Sequence, residues 1–203
     1  MLDFVPCPPT PMSSPAPKSS PRAEAPAPRV ERLDPVGAAK RLAALCALTE
    51  EAVREQSQIN FVLPLDDGAI ESYWRRALDD VGQGARILFV ALRADDVVGT
   101  VTLAPAPQPN QRHRAEIQKL IVATRARGVG VASALMRAAE AASLAMDRWL
   151  VTLDTRTGSA AETCYSRWGY VAIGCVPDYA VDPDGVTFAP CTFFYKRLRA
   201  PAT

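Results

Sequence analysis

Long apolar runs, paired cysteines and a surplus of either charge are all missing from this chain. No stretch approaches the ~20 apolar residues that would cross a bilayer, and no internal repeat is present. The formal charge is +1, from 23 basic and 22 acidic residues, which removes the bulk electrostatic basis for binding nucleic acid or a membrane surface. Five cysteines, Cys7, Cys46, Cys164, Cys175 and Cys191, form no CxxC pair and leave an odd one, so reduced thiols in a cytoplasmic protein are the simplest account. No spacing of His, Cys and carboxylates suggests a metal. The single histidine, His113, sits in the basic run Arg112-His113-Arg114 and reads as a surface residue.

What is present divides in two. Residues 1–29 carry nine of the eighteen prolines with Ser and Ala between them, and read as a disordered tail rather than a helix or central strand. Their apolar residues are scattered, without the compact core of about 7–15 residues that a secretion signal needs. Residues 30–200 have the apolar patterning of one domain. A short strand at Val30–Leu33 leads through Asp34-Pro35 into a helix with the face Ala39, Leu42, Cys46, Thr49 and Val53. Asp66-Asp67 can cap a second helix, facing inward through Ile70, Trp74, Ala77 and Val81. Arg86–Leu92 and Val97–Leu103 predict an antiparallel hairpin, and Pro105–Arg114 a loop. Strands follow at Glu116–Val122, Trp149–Asp154, Val171–Val176 and Val186–Leu198, with a loop at Pro177–Gly185. Ser159 and Glu162 form a capping box for a helix whose core face is Ala161, Cys164 and Trp168. The order βααβββαβαββ predicts a mixed α/β sheet with helices on both faces.

The stretch from Glu116 to Met136 organises the rest. A strand containing Ile117, Leu120, Ile121 and Val122 runs into Arg127-Gly128-Val129-Gly130, and a helix begins at Val131 with its stripe at Val131, Leu135, Ala138, Ala142 and Ala145. Glycines at such a junction let backbone N–H groups approach an anion at the positive end of the helix. A nucleotide P-loop is excluded because no Gly-Lys-Ser/Thr ends the turn, and a dinucleotide fingerprint fits poorly. The pattern Arg/Gln-x-x-Gly-x-Gly/Ala fits twice, as Arg125…Gly128…Gly130 or as Arg127…Gly130…Ala132. The second is preferred because it turns Leu135 and Met136 to the sheet.

Ala115-Glu116-Ile117, the turn Arg127-Gly128-Val129-Gly130-Val131-Ala132 and the later Ala161–Tyr170 together resemble the GNAT superfamily of acetyl-CoA-dependent N-acetyltransferases. The AEIQKLIV strand, LDTRTGSAAETCYS and the late PDG most resemble its tabtoxin-resistance members, over roughly Arg114 to Leu198. The resemblance implies a mixed, mostly antiparallel α/β (α+β) sheet flanked by helices on both faces. It also implies acetyl-CoA as cosubstrate, its pyrophosphate on the turn's N–H groups (Arg127, Gly128, Val129, Gly130, Val131, Ala132, Ser133) and its pantetheine along Leu120, Ile121 and Val122. Many relatives carry an Asn seven residues before the helix tyrosine. This chain has Gly158 there, so Ser159 or Thr157 would have to take the contact. The Arg112–Arg114 run could reach the adenosine 3′-phosphate.

Acetyl transfer to an amine needs that amine neutral. A lysine-like amine of pKa ~10.4 is about 3.4 pH units from neutral at pH 7, a cost of about 4.6 kcal/mol that calls for a base. By resemblance, Glu116 is that base through a water; pairing with Arg112 or Arg114 is the alternative. Asp154 ends the next strand and could share the cleft or cap its own turn. Tyr165, by resemblance, protonates or hydrogen-bonds the leaving thiolate. Cys164, on the expected buried stripe, argues against an acyl-enzyme, so the amine should attack directly in a ternary complex. Asp66, Asp67, Asp178, Asp182 and Asp184 favour a cationic small molecule, with a toxin or antibiotic amine implied by the resemblance. A non-catalytic acyl-CoA sensor and a protein or aminoacyl-tRNA acetyltransferase are the rivals. Either a monomer or a homodimer fits.

Overall fold

A computed structural model describes residues 28–199. Nearly all of the proline-rich tail and the last four residues lie outside that range. Seven strands form one sheet in the order β1-β2-β3-β4-β5-β7-β6. The strands are β1 (Arg29–Leu33), β2 (Ile87–Arg93), β3 (Asp96–Pro105), β4 (Arg114–Val122), β5 (Leu150–Arg156), β6 (Val171–Val181) and β7 (Phe188–Arg197). All neighbours are antiparallel except β4 and β5, which run parallel and pair only from Arg114 to Glu116 against Leu150 to Thr152. Beyond that short ladder the two strands part.

Helices cover both faces, as expected. On one face, α1 (Pro35–Lys40), α2 (Leu42–Arg54) and α3 (Ala69–Gly82) pack on Leu88, Val90, Leu92 and Ile121. On the other, α4 (Val131–Ala145) and α5 (Ala160–Arg167) pack on Phe89, Val101, Ile117, Leu153 and Phe194. Leu135 and Met136 are both buried against the sheet. Burying side chains of this size contributes about 1.5–3 kcal/mol each. Gly99 in β3 is where α4 comes closest, for a Cβ there would lie 3.0 Å from Val131 Cγ1 and 3.1 Å from Leu135 Cδ1.

Several local expectations are corrected. The first helix breaks at Arg41, whose backbone (φ −100°, ψ 2°) ends α1 and starts α2. The break shifts the phase, so Ala38, Leu45, Leu48, Thr49, Ala52 and Val53 are buried while Ala39 is exposed. Neither Asp66 nor Asp67 caps α3. Gly68, at φ 73°, holds the cap position without a side-chain bond. Strand β6 runs on to Val181 through a bulge with Asp178 at φ 50°, so much of the expected Pro177–Gly185 loop is strand. The core face of α5 centres on Tyr165, 6% exposed, with Ala161, Cys164 and Trp168 only half-buried.

Candidate active site

At the end of β4 the chain passes through a short 3-10 turn, then Arg127 to Gly130, and enters α4. Arg127 to Gly130 are all exposed. Gly128 and Gly130 take φ 76° and 84°, a region where L residues are strained, and a Cβ on either would meet nothing within 4 Å. Gly130 caps α4 with no side-chain hydrogen bond. The first N–H of this helix to find an acceptor is Ala134, bonded to the Gly130 carbonyl at 3.0 Å. From Gly128 to Ser133 the amide hydrogens therefore have no hydrogen-bond partner among the described residues. Two contacts brace the turn: Arg127 Nε donates to the Val122 carbonyl at 3.2 Å, and Glu51 Oε1 accepts from the Thr124 N–H at 2.7 Å. Bare amide hydrogens at a helix start suit a diphosphate.

The parting of β4 and β5 opens a gap beside this turn. Strand alternation sends Arg114, Glu116 and Gln118 to the α3 face, opposite the buried Ala115 and Ile117. Then β4 bulges. Thr100 pairs with Ile121 but Thr102 with Gln118, leaving Lys119 and Leu120 against one residue of β3, with Lys119 at φ 51°. A bulge of this kind turns two successive side chains to one face, so Gln118 and Lys119 both face α3 while Leu120 packs on the α4 side. The half-buried Leu120 and Val122 and the buried Ile121 form the lip of the gap nearest the turn.

Glu116 accepts from Gln118 Nε2 at 2.9 Å and lies 3.9 Å from Arg114 Nη1, so the expected pairing with Arg114 is present but loose. Asp154 projects from β5 on the same face. Protein crowds its carboxyl although the residue is exposed at the mouth. This loss of solvation and the nearby charge of Glu116 raise its pKa above the ordinary aspartate value, with Lys119 opposing. Tyr165 comes from α5 on the opposite face, where its ring packs against Trp168, Tyr170 and Phe194. Burial, then the Asp154 charge, pushes its phenol far above the ordinary range. Its hydroxyl makes no hydrogen bond among the described residues and is not sealed off from solvent. Asp154 is thus coupled electrostatically both to Glu116 on its own face of the sheet and to the Tyr165 phenol.

Residues not foreseen in the sequence complete the α3 side. Lys119 Nζ sits 4.9 Å from the Tyr73 ring centroid and 6.0 Å from that of Phe61. Arg86 donates to Gln118 Oε1 at 2.9 Å and to Tyr73 OH at 3.3 Å, and pairs with Asp80 at 3.3 Å. The loop between α2 and α3 reaches over to the β6–β7 hairpin: the Leu63 N–H bonds the Pro183 carbonyl in its turn at 2.7 Å, and Gln58 Oε1 accepts from Cys191 Sγ of β7 at 3.1 Å. A phase flip could have revealed the bulge, since Ala115 and Ile117 share a face with Leu120 and Val122 only if one residue is inserted.

Other expected contributors are engaged elsewhere. Ser159 Oγ caps α5 by accepting from the Glu162 N–H at 3.2 Å, and Thr157 Oγ1 is 2.8 Å from Thr192 Oγ1. Asp182 is held by Arg156 at 2.8 Å, and Asp184 accepts from the Val186 and Thr187 N–H groups and the Thr187 hydroxyl, so these two of the five aspartates are already engaged. His113 stacks on Trp149 at 4.8 Å. The Arg112–Arg114 run lies at the start of β4. The strand's nine residues, roughly 30 Å, separate it from the glycine turn, too far to serve the same end of a cofactor.

An open turn of bare amide hydrogens at a helix start, beside two strands that part, suits a phosphate-bearing ligand. The sequence profile of the acetyltransferase (GNAT) family matches residues 47–170, and the chain belongs to that family. It is therefore an acetyltransferase that depends on acetyl-CoA. Among solved structures it is similar to the ribosomal-protein-alanine N-acetyltransferase of Brucella melitensis (TM-score 0.69, 22% identity, over 84% of this chain and 99% of that one). It is also similar to YncA of Salmonella typhimurium, assigned as an acetyltransferase and solved with acetyl-CoA (TM-score 0.71, 14% identity, 88% and 98%). A third is a protein assigned as a phosphinothricin N-acetyltransferase (TM-score 0.69, 14% identity, 86% and 100%). At these identities the likeness establishes the fold. The comparisons give the family and do not single out its tabtoxin-resistance members. Among the described residues no helix is long and apolar enough to cross a membrane.

Proposed function

We propose that this protein transfers the acetyl group of acetyl-CoA to a primary amine of a small molecule, by direct attack within a ternary complex, in the cytoplasm. The observation that carries the proposal is the run of unpartnered amides at residues 128–133 beside the parting of β4 and β5, supported by the coupling of Asp154 to both Glu116 and Tyr165. Those amides, with Arg127 bracing the turn, would hold the diphosphate, and Leu120 to Val122 would flank the arm that carries the thioester. The reach of the α2–α3 loop over to the β6–β7 hairpin favours a compact acceptor over a protein surface. A phosphinothricin acetyltransferase among the similar folds accords with such an acceptor.

In this mechanism the acceptor nitrogen attacks the acetyl carbonyl carbon, the C–S bond breaks, and the nitrogen's proton passes to the carboxylate pair. Raising Asp154 narrows the pKa gap to the ammonium and makes the carboxylate a better acceptor of its proton. Tyr165 acts in the other direction. An ordinary thiol has a pKa of ~8.5, well below the raised phenol, so complete proton transfer to the thiolate is uphill, and the phenol serves better as a hydrogen-bond donor to it. The test is the pH dependence of CoA release over a panel of amines for Glu116→Gln and Asp154→Asn. The wild type should show an acidic limb above the ordinary aspartate range, lost in Asp154→Asn. A limb that persists unchanged in both variants refutes the roles of both carboxylates. Absence of acetyl-CoA binding by calorimetry refutes the whole reading.

A further inference from the structure

Lys119 is the charge in the acceptor cleft that lacks a counter-ion. Its ammonium has no hydrogen bond and no ion pair among the described residues, whereas Arg86 beside it is tied to Asp80, Gln118 and Tyr73. Protein surrounds most of the side chain. Lost solvation first, and then the positive charge of Arg86, lower its pKa to about 8, with Asp154 opposing from outside ion-pairing distance. Phe61 and Tyr73 offer their ring faces, which attract a cation but do not neutralise it. Proteins rarely leave a desolvated charge unpaired unless something else completes the site. The bulge in β4 is what brings Lys119 here, for a regular strand would have turned it into the α4 core.

We infer that Lys119 anchors an anionic group of the acceptor, so that the substrate is an amine that also bears a carboxylate. The inference rests on the acetyltransferase reading above and adds the substrate class. One cleft face then carries opposite charges suited to a zwitterion: Glu116 and Asp154 for the ammonium, and Lys119, with Arg86 behind it, for the carboxylate. The aromatic rings of Phe61 and Tyr73 wall the position between them and accept the carbon chain. The acidic residues expected to favour a cationic molecule do not oppose this, because Asp182 is paired with Arg156 of β5 and Asp184 with Thr187 in its own turn.

The experiment compares acceptors alike in all but one group, L-amino acids against their carboxamides and β-alanine against its amide, by CoA release at neutral pH. An amino-acid amide has the less basic amine, so intrinsic chemistry favours the amide, and preference for the acid must come from the protein. The acids should exceed the amides by about tenfold or more in kcat/KM, mainly through KM, as expected of a hydrogen bond to a charged partner. Lys119→Met should bring the ratio to about one, and Lys119→Arg should restore most of it. Equal or better use of amides, or a ratio that survives Lys119→Met, overturns the inference while leaving the acetyltransferase intact. A second readout needs no turnover. In protein carrying 13C-labelled lysine, with the Lys119 signal assigned by its loss in Lys119→Arg, the acids should shift that signal and raise its titration midpoint, and the amides should not. A signal unmoved by any acid overturns the anchor even if no acceptor in the panel reacts. Failure of acetyl-CoA to bind would instead strike the acetyltransferase reading.

Discussion

Replacing Lys119 by methionine should make the protein more stable at neutral pH, even though the residue stands in the cleft. In the folded chain the ammonium has a pKa of about 8, against an ordinary value of 10.5. Below about pH 8 the lysine is charged in both folded and unfolded states, and the folded state bears the full penalty. At about 1.4 kcal/mol per pH unit, a gap of about 2.5 units corresponds to roughly 3 kcal/mol. The two ring contacts offset part of this, about 0.5–1 kcal/mol each. Lys119→Met should then gain about 1–2 kcal/mol. As pH rises from 8 to 10.5 the folded lysine is neutral while the unfolded one still binds its proton, so the wild type recovers stability and the advantage of the variant shrinks. Urea unfolding of both proteins at about pH 7 and about pH 10 measures this directly. A variant no more stable at neutral pH, or an advantage that does not close as pH rises, would show that Lys119 is adequately solvated or paired.

Three further outcomes follow from single contacts. Trp74 Nε1 donates to Thr49 Oγ1 at 2.9 Å with both residues fully buried, so Thr49→Val should orphan the indole N–H and lower unfolding stability by about 1–3 kcal/mol in urea melts. Gly99→Ala would place a methyl 3.0 Å from the Ile121 carbonyl and Val131. It should cost about 1–3 kcal/mol and, by pushing the start of α4, weaken acetyl-CoA binding measured by calorimetry. Tyr165→Phe should lower kcat by about 10- to 100-fold with little change in acceptor KM and no new basic limb below pH ~10. A rise in acceptor KM as large as the fall in kcat would argue against a contact made only as the thiolate leaves.

Much of the sheet and the turn was legible because local signals agree there. The hairpin of β2 and β3, the inner face Ile70, Trp74 and Ala77, and the Ser159 cap each follow from periodicity or a cap residue that tertiary contacts then reinforce. Where local and tertiary demands part, the sequence misled. Arg41 interrupts a pattern that reads as one helix, because the chain must turn between β1 and the α2 face. Asp66-Asp67 looks like a cap, but Gly68 takes the entry position. The acceptor side was harder still. Phe61 and Tyr73 are unremarkable aromatics in sequence, and they meet Lys119 only because the α2–α3 loop folds over toward the β6–β7 hairpin and a bulge turns the lysine toward them.

The bulge and the split of the sheet share one stretch of β4. The Ala123 N–H bonds to the Val98 carbonyl at 3.0 Å on the β3 side. Strand alternation therefore aims the amide of Val122 the other way, into the gap that β5 vacates. Arg127 reaches back to the Val122 carbonyl, but the donors on this edge have no ladder partner, and unpaired backbone groups in a sheet interior are unfavourable unless something satisfies them. An amide-bearing arm lying in the gap would do so, in the manner of an added strand. The inserted residue in β4 thus changes the face of Lys119 within the stretch of the strand that has already parted from β5.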